Sequence, residues 1–229
     1  MLWGLLLFFS CQTTVASDGN STTVEFYRTT THSKGIRNAI NSSVVVHCFE
    51  GGEYQSKGSG NYFKIGNKKF ILTASHVVEG CDDVQLMNKP KSLVTAKTIY
   101  QDKERDIAIL TADQKLYDVL PIEYYSKAPE LGERVYFMGH PDEINFFLFE
   151  GLVSLDSTDE FFLHSTGWGG VSGAIVFNRT GRVFGVTKAV KVTFSPATGF
   201  PRLLEDMVLV SKVDHLTRAK IREIMDEAK

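Results

Sequence analysis

From Ser43 to Ser211 the chain is broken into short runs of β-branched and aromatic residues, bounded by Gly, Asn, Asp or Pro. Such runs suit strands, which pack branched side chains on a pleated surface, and they are too short for ordinary helices. Ser43-Val-Val-Val-His-Cys-Phe49 is the first. Tyr62–Ile65 and Lys69–Thr73 flank Gly66-Asn67, a dipeptide that favours a tight hairpin. Asp83–Met87, Leu93–Tyr100 and Asp106–Leu110 complete one group, and Ala112 to Pro129 reads as a connector. A second group runs through Val135–Met138, Phe147–Ser154, Glu160–His164, Ala174–Phe177, Arg182–Lys188 and Met207–Ser211. Helical signals are confined to the two ends. Lys34 to Ile40 predicts one or two turns, and Val213, Leu216, Ile221, Ile224 and Met225 follow a helical period within 213–228. The pattern predicts an all-β domain over 33–229: two six-stranded antiparallel barrels, over about 40–112 and 129–212, and a C-terminal α-helix over 213–228.

Composition narrows the function. Apolar residues are 43% and charged residues 23%, which excludes a disordered chain. Twenty-five basic against 27 acidic residues give a net charge of -2, so there is no general basic surface and no nucleic-acid partner is expected. No apolar run reaches the roughly 18 residues of a membrane-spanning helix. Met1 to Phe9 is a short apolar run that suits an export signal, although no Lys or Arg precedes it. Thr14-Val15-Ala16 offers one cleavage point. Phe8-Phe9-Ser10-Cys11 offers another, of lipoprotein type, with Cys11 as the lipid anchor. Residues 1–16 therefore read as a signal peptide or lipoprotein leader and 17–32 as a flexible arm. The chain is expected to be exported to a periplasm, cell envelope or extracellular space. Cys48 and Cys81 either pair in an oxidising compartment or stay buried thiols. Neither C-x-x-C nor H-E-x-x-H occurs, so no metal and no cofactor are expected. Asn20, Asn41 and Asn178 each open an N-glycosylation pattern, which is short enough to arise by chance.

Three segments carry chemistry. His76 follows the buried-type run Phe70-Ile-Leu-Thr-Ala-Ser, Asp106 opens Asp-Ile-Ala-Ile-Leu, and Ser172 lies in Gly169-Gly-Val-Ser-Gly-Ala174. Each alone has a bland reading as a core histidine, a turn aspartate or a tight glycine turn. Together they supply what acyl transfer needs. A serine hydroxyl requires a base, imidazole suits that role near neutral pH, and a carboxylate fixes the imidazole tautomer. Gly170 and Ser172 can each present a backbone N–H to a developing oxyanion. Asp102 is a rival for the carboxylate but lacks the apolar strand that follows Asp106.

These segments resemble those of trypsin-like (chymotrypsin-fold) serine proteases, most closely the HtrA/DegP-like branch. Thr73-Ala-Ser-His-Val-Val78, Asp106-Ile-Ala-Ile-Leu110 and Gly170-Val-Ser-Gly-Ala174 are similar to its three catalytic motifs. Gly58-Ser-Gly60, Leu131-Gly-Glu133, Gly139-His-Pro141, Gly151-Leu-Val-Ser154 and Gly181-x-Val-x-Gly-Val186 are weaker matches. The likeness spans about residues 40 to 217. Val171 departs from it where Asn or Asp is usual, and Ala174 where Gly is usual. No PDZ-like domain is expected after the barrels. The resemblance implies a serine endopeptidase acting on protein or peptide substrates, with His76, Asp106 and Ser172 as the triad and Gly170 and Ser172 as the oxyanion hole. It also implies a pocket for the residue before the cut bond, built from Thr166, Trp168, Gly169, Thr187, Lys188, Ala189 and the strand around Val208. No Asp stands at the base of that pocket, so a small or medium apolar residue is expected there. Lys188 or His164 offers the alternative of an acidic one. The rival readings are a catalytically silent binding module of protease-like fold that recognises protein segments, and an unrelated adhesive β-protein.

Overall fold

In the computed structural model the described residues are 32–88, 92–112, 114–116, 118–194 and 201–228, with only the backbone of 189–194 and 201–205. The leader over 1–16 and the arm up to residue 31 lie outside them.

The first barrel comprises β1 (Ser43–Glu50), β2 (Glu53–Ile65), β3 (Lys68–Thr73), β4 (Asp83–Met87), β5 (Leu93–Asp102) and β6 (Ile107–Ala112). Its order is β1-β4-β5-β6-β3-β2, and antiparallel pairing of β1 with β2, as at Val45 and Ser59, closes it. A short β7 (Ile122–Glu123) runs parallel to β2. The second barrel comprises β8 (Arg134–Gly139), β9 (Phe147–Asp156), β10 (Glu160–His164), β11 (Ile175–Asn178), β12 (Val183–Phe194) and β13 (Pro201–Lys212). It closes in the order β10-β13-β12-β11-β8-β9. The two six-stranded antiparallel barrels are those the run pattern predicts.

Burial explains the closure. Phe70, Ile71 and Leu72 on consecutive positions of β3 are all fully buried, so both faces of this strand are covered. Phe63 stacks on Phe70 at 5.6 Å and reaches Phe177 of β11 at 6.1 Å, which joins the two barrels through aromatic contacts. The second barrel fills with Phe137, Phe149, Phe161, Leu163, Phe184 and Val210. Helix α1 (Lys34–Ser42) is capped by Ser33, whose hydroxyl accepts from the Ile36 N–H at 3.3 Å. Helix α2 (Arg218–Glu227) starts later than its apolar period, because Thr217 caps it by accepting from the Lys220 N–H at 3.2 Å. Val213 and Leu216 fall in the turn before it and are buried there.

Two open points in the sequence resolve here. Cys48 and Cys81 form a disulfide with their Cα atoms 5.4 Å apart. Closing a loop of 33 residues removes about 4 kcal/mol of unfolded-chain entropy in the loop model. The Asn178 side chain is buried, donating to Glu133 Oε1 at 2.8 Å and accepting from the N–H groups of Thr180 and Arg182. Its amide is committed to the turn, so the glycosylation pattern there has a structural explanation.

Candidate active site

His76 sits in a single 3-10 turn, Ser75–Val77, that β3 delivers to the edge of the first barrel. Asp106 ends the tight turn before β6 and adopts φ 56°, a left-handed conformation that Asp tolerates better than most residues. The turn aims its carboxylate at His76 twice. Oδ2 lies 2.7 Å from Nδ1, and Oδ1 accepts the His76 backbone N–H at 2.8 Å. A carboxylate only accepts, so Nδ1 carries a proton, and in the neutral ring Nε2 is the nitrogen with the free lone pair. Asp106 is buried, while the His76 side chain is 45% exposed and reaches the cleft. Asp102 is engaged elsewhere, accepting from the Arg105 N–H at 3.0 Å and its guanidinium at 3.3 Å. It is not the partner of His76.

The second barrel contributes the loop from Trp168 to Ala174, just before β11. Four successive carbonyls of this loop are bonded. Gly169 O accepts from the Asp142 N–H at 3.1 Å, and Gly170 O from the Ser59 hydroxyl at 2.8 Å. Val171 O accepts from the Thr187 hydroxyl at 2.7 Å, and Ser172 O from the Ser59 N–H at 2.7 Å. In a trans peptide the following N–H points the opposite way. Two of those N–H groups find partners: Val171 donates to Trp168 O at 3.2 Å, and Gly173 to Thr187 O at 2.8 Å. The other two, on Gly170 and Ser172, have no acceptor among the described residues. Gly170 has φ 88°, which a side chain would resist. Among the described residues the loop therefore leaves free the serine's own N–H and that of the residue two before it.

Ser172 Oγ donates to the Lys188 carbonyl at 3.2 Å, so its hydroxyl is bonded to backbone rather than to His76. The two segments are nonetheless neighbours. A Cβ on Gly58 would stand 2.6 Å from the Val77 side chain and 2.9 Å from Ser172 O, so this glycine lets the His76 turn and the serine loop close on one strand. Lys188 also lines both the cavity of about 450 Å³ beside His76 and Asp106 and the cavity of about 230 Å³ beside Ser172.

The smaller cavity is walled by Trp168, Gly169, Val171, Thr187, Lys188 and Val208. Thr166, expected among them, is exposed and not part of the lining, and the Ala189 side chain lies outside the described residues. The Lys188 ammonium is held by Glu160 at 2.9 Å, so its charge already has a partner. His164 is exposed on β10. Trp168 leans on Phe147 and Phe149, with centroids 5.8 Å and 6.2 Å away. Val171, the departure from the expected motif, is buried in the second-barrel core and packs on Gly139. An apolar anchor thus holds the loop where a polar residue is usual.

Behind the loop lies His140, fully buried, with Nδ1 accepting from the Phe146 N–H at 2.9 Å and Nε2 against Ser43 Oγ at 3.0 Å. Burial pushes its pKa down to about 3. A depressed pKa gives stability that is whole above the unfolded value of about 6.5 and is lost as pH falls toward 3. The loss is about 1.4 kcal/mol per pH unit, hence about 3 kcal/mol at pH 4.5. Urea unfolding at pH 7 and 4.5 should show this loss in the native protein and a smaller one in His140→Gln. Equal losses in the two would refute it.

Ser59, Gly58 and Asp142 hold this site but carry no catalytic signature of their own. The available signal was the Gly58-Ser-Gly60 triplet, small residues inside a strand where backbones approach closely.

Residues 58–186 match the family described as "Trypsin-like peptidase domain". A "Probable periplasmic serine endoprotease DegP-like" of Hahella chejuensis is 36% identical over 104 residues, covering 44% of this chain and 21% of that protein. Another of the same description, from Pseudomonas savastanoi pv. phaseolicola, is 30% identical over 156 residues, covering 65% and 31%. The chain thus spans between a fifth and a third of the length of these curated relatives. A crystal structure of the serine endoprotease from Yersinia pestis superposes with TM-score 0.66 at 21% identity, over 85% of this chain and 66% of that one. At that identity the likeness is one of fold.

Proposed function

Because this chain belongs to the trypsin-like peptidase domain family, we propose that it is a serine endopeptidase that cleaves protein segments through an acyl-enzyme. The observation that carries the reading is the pair of N–H groups on Gly170 and Ser172 that are unbonded among the described residues, together with a histidine oriented by a buried carboxylate. In the proposed cycle the Ser172 hydroxyl rotates off Lys188 O and passes its proton to His76 Nε2 as Oγ attacks the peptide carbonyl. The carbonyl oxygen gains charge and is held by the two N–H groups, each worth about 3 kcal/mol at such a site. His76 then gives the proton to the leaving amine, and water repeats the sequence on the ester. Asp106 keeps the ring in the right tautomer and stabilises its protonated form.

The cavity beside Ser172 supports a small or medium apolar residue before the cut bond. Its described walls are apolar or neutral apart from Lys188, and Glu160 already occupies that ammonium. Relatives named as periplasmic, together with the Cys48–Cys81 bridge, support export to an oxidising compartment. One observation favours the silent binding module instead: the Ser172 hydroxyl rests on Lys188 O. A fluorophosphonate probe decides between them. The folded protein is expected to be labelled at Ser172, with the adduct located by peptide mass spectrometry, and folded protein left unlabelled would favour the binding module.

A further inference from the structure

We propose that Ser59, a first-barrel residue outside the triad, is the positioning residue of the oxyanion loop, an inference that rests on the endopeptidase reading. Ser59 is fully buried on β2 and holds the loop at two points. Its N–H takes Ser172 O at 2.7 Å, and its hydroxyl takes Gly170 O at 2.8 Å while accepting the His140 N–H at 3.1 Å. No other described residue bonds both ends of the Gly170–Ser172 segment.

The hydroxyl matters because of what lies beside it. Gly169 and Gly170 are consecutive, so no side chain resists a flip of the peptide between them. That peptide is fixed by one bond to its own carbonyl and by what holds the peptide after it. Asp142 N–H holds Gly169 O on one side, and the Ser59 hydroxyl holds Gly170 O on the other. Without the hydroxyl, Gly170 O and the N–H of the fully buried His140 lose their partner, and a loop that re-orients about Gly170 offers a way to re-pair that carbonyl. The flip turns the Gly170 N–H out of the cleft. Trp168, Thr187, Lys188 and Val208, which wall most of the cavity beside Ser172, lie outside the Gly169–Gly170 peptide, so ground-state binding is largely kept and the loss falls on the transition state.

The test compares Ser59→Ala with the native protein, scored per active site by probe titration. The expected result is a fall in kcat of about 10- to 100-fold with KM within about twofold. Affinity for a peptide aldehyde, whose adduct places an oxyanion on the loop, should fall by the same factor. Ser59→Cys keeps the shape but donates poorly, so it should fold and lie between the two. Asn61→Ala is the control, since Asn61, on the same strand as Ser59, accepts from the Ile175 N–H and donates to the Ser42 hydroxyl without touching the oxyanion donors. It should lose stability while keeping kcat per site. Native protein that hydrolyses while both Ser59 variants keep full kcat and aldehyde affinity overturns this inference alone. Native protein that neither hydrolyses nor labels removes the reading beneath it.

Discussion

Ser172→Ala is expected to lower kcat by about a million-fold while leaving KM nearly unchanged. The methyl group has no proton to give and no lone pair to attack with, so the acyl-enzyme route closes entirely. What survives is binding, together with the donors of Gly170 and Ser172, whose N–H groups belong to the backbone and remain after the substitution. Such remnants are worth about 10³- to 10⁴-fold over water. The alanine costs little in folding, because the lost hydroxyl makes a single bond, to Lys188 O at 3.2 Å. Hydrolysis of a peptide ester or amide, measured with enough protein to see the residual rate, checks this. A variant retaining more than a hundredth of native kcat would exclude Ser172 as the nucleophile.

Asp106→Asn should lower kcat by about 10⁴-fold near neutral pH. The carboxylate accepts two bonds from His76, one from the backbone and one from Nδ1. An amide has only one oxygen. If that oxygen keeps the backbone N–H, the NH₂ group faces Nδ1 and makes it an acceptor, which moves the ring proton to Nε2. The base is then blocked at the atom it needs. Asn also tolerates the left-handed conformation of this position, where φ is 56°, so the fold should persist and the loss can be read as chemistry. Steady-state kinetics together with a thermal melt would separate the two. A fall of less than tenfold with an unchanged melt would point to a different orienting group.

How much of this was legible beforehand follows from the range over which each signal acts. The strands were readable because alternation and turn residues are local, and Gly66-Asn67 marks its hairpin without help from the rest of the chain. His76, Asp106 and Ser172 stand out in the sequence because their neighbours form recognisable segments, and of the three the structure bonds His76 to Asp106. The disulfide was not, since nothing near Cys48 or Cys81 says that β1 passes beside the segment after His76. Val171 was misleading in a useful way. In the sequence it is only a departure from the expected motif, and its burial against Gly139 shows an apolar anchor. Ser59 was hidden because its importance lies in two bonds to a loop more than a hundred residues later, at Gly170 and Ser172. Thr166 stood in the expected stretch yet faces solvent, because proximity in the chain does not fix the direction of a side chain.

The division of the site between barrels has a consequence for the life of the chain. His76 and Asp106 come from one barrel, Ser172 from the other, and Lys188 O and the Thr187 hydroxyl that steady the serine loop come from β12. During synthesis the histidine and its carboxylate therefore emerge long before the partner they act upon. On the endopeptidase reading, a half-made molecule holds inert fragments only, and cutting power needs the second barrel in place. On that same reading, neighbouring unfinished chains are thereby spared.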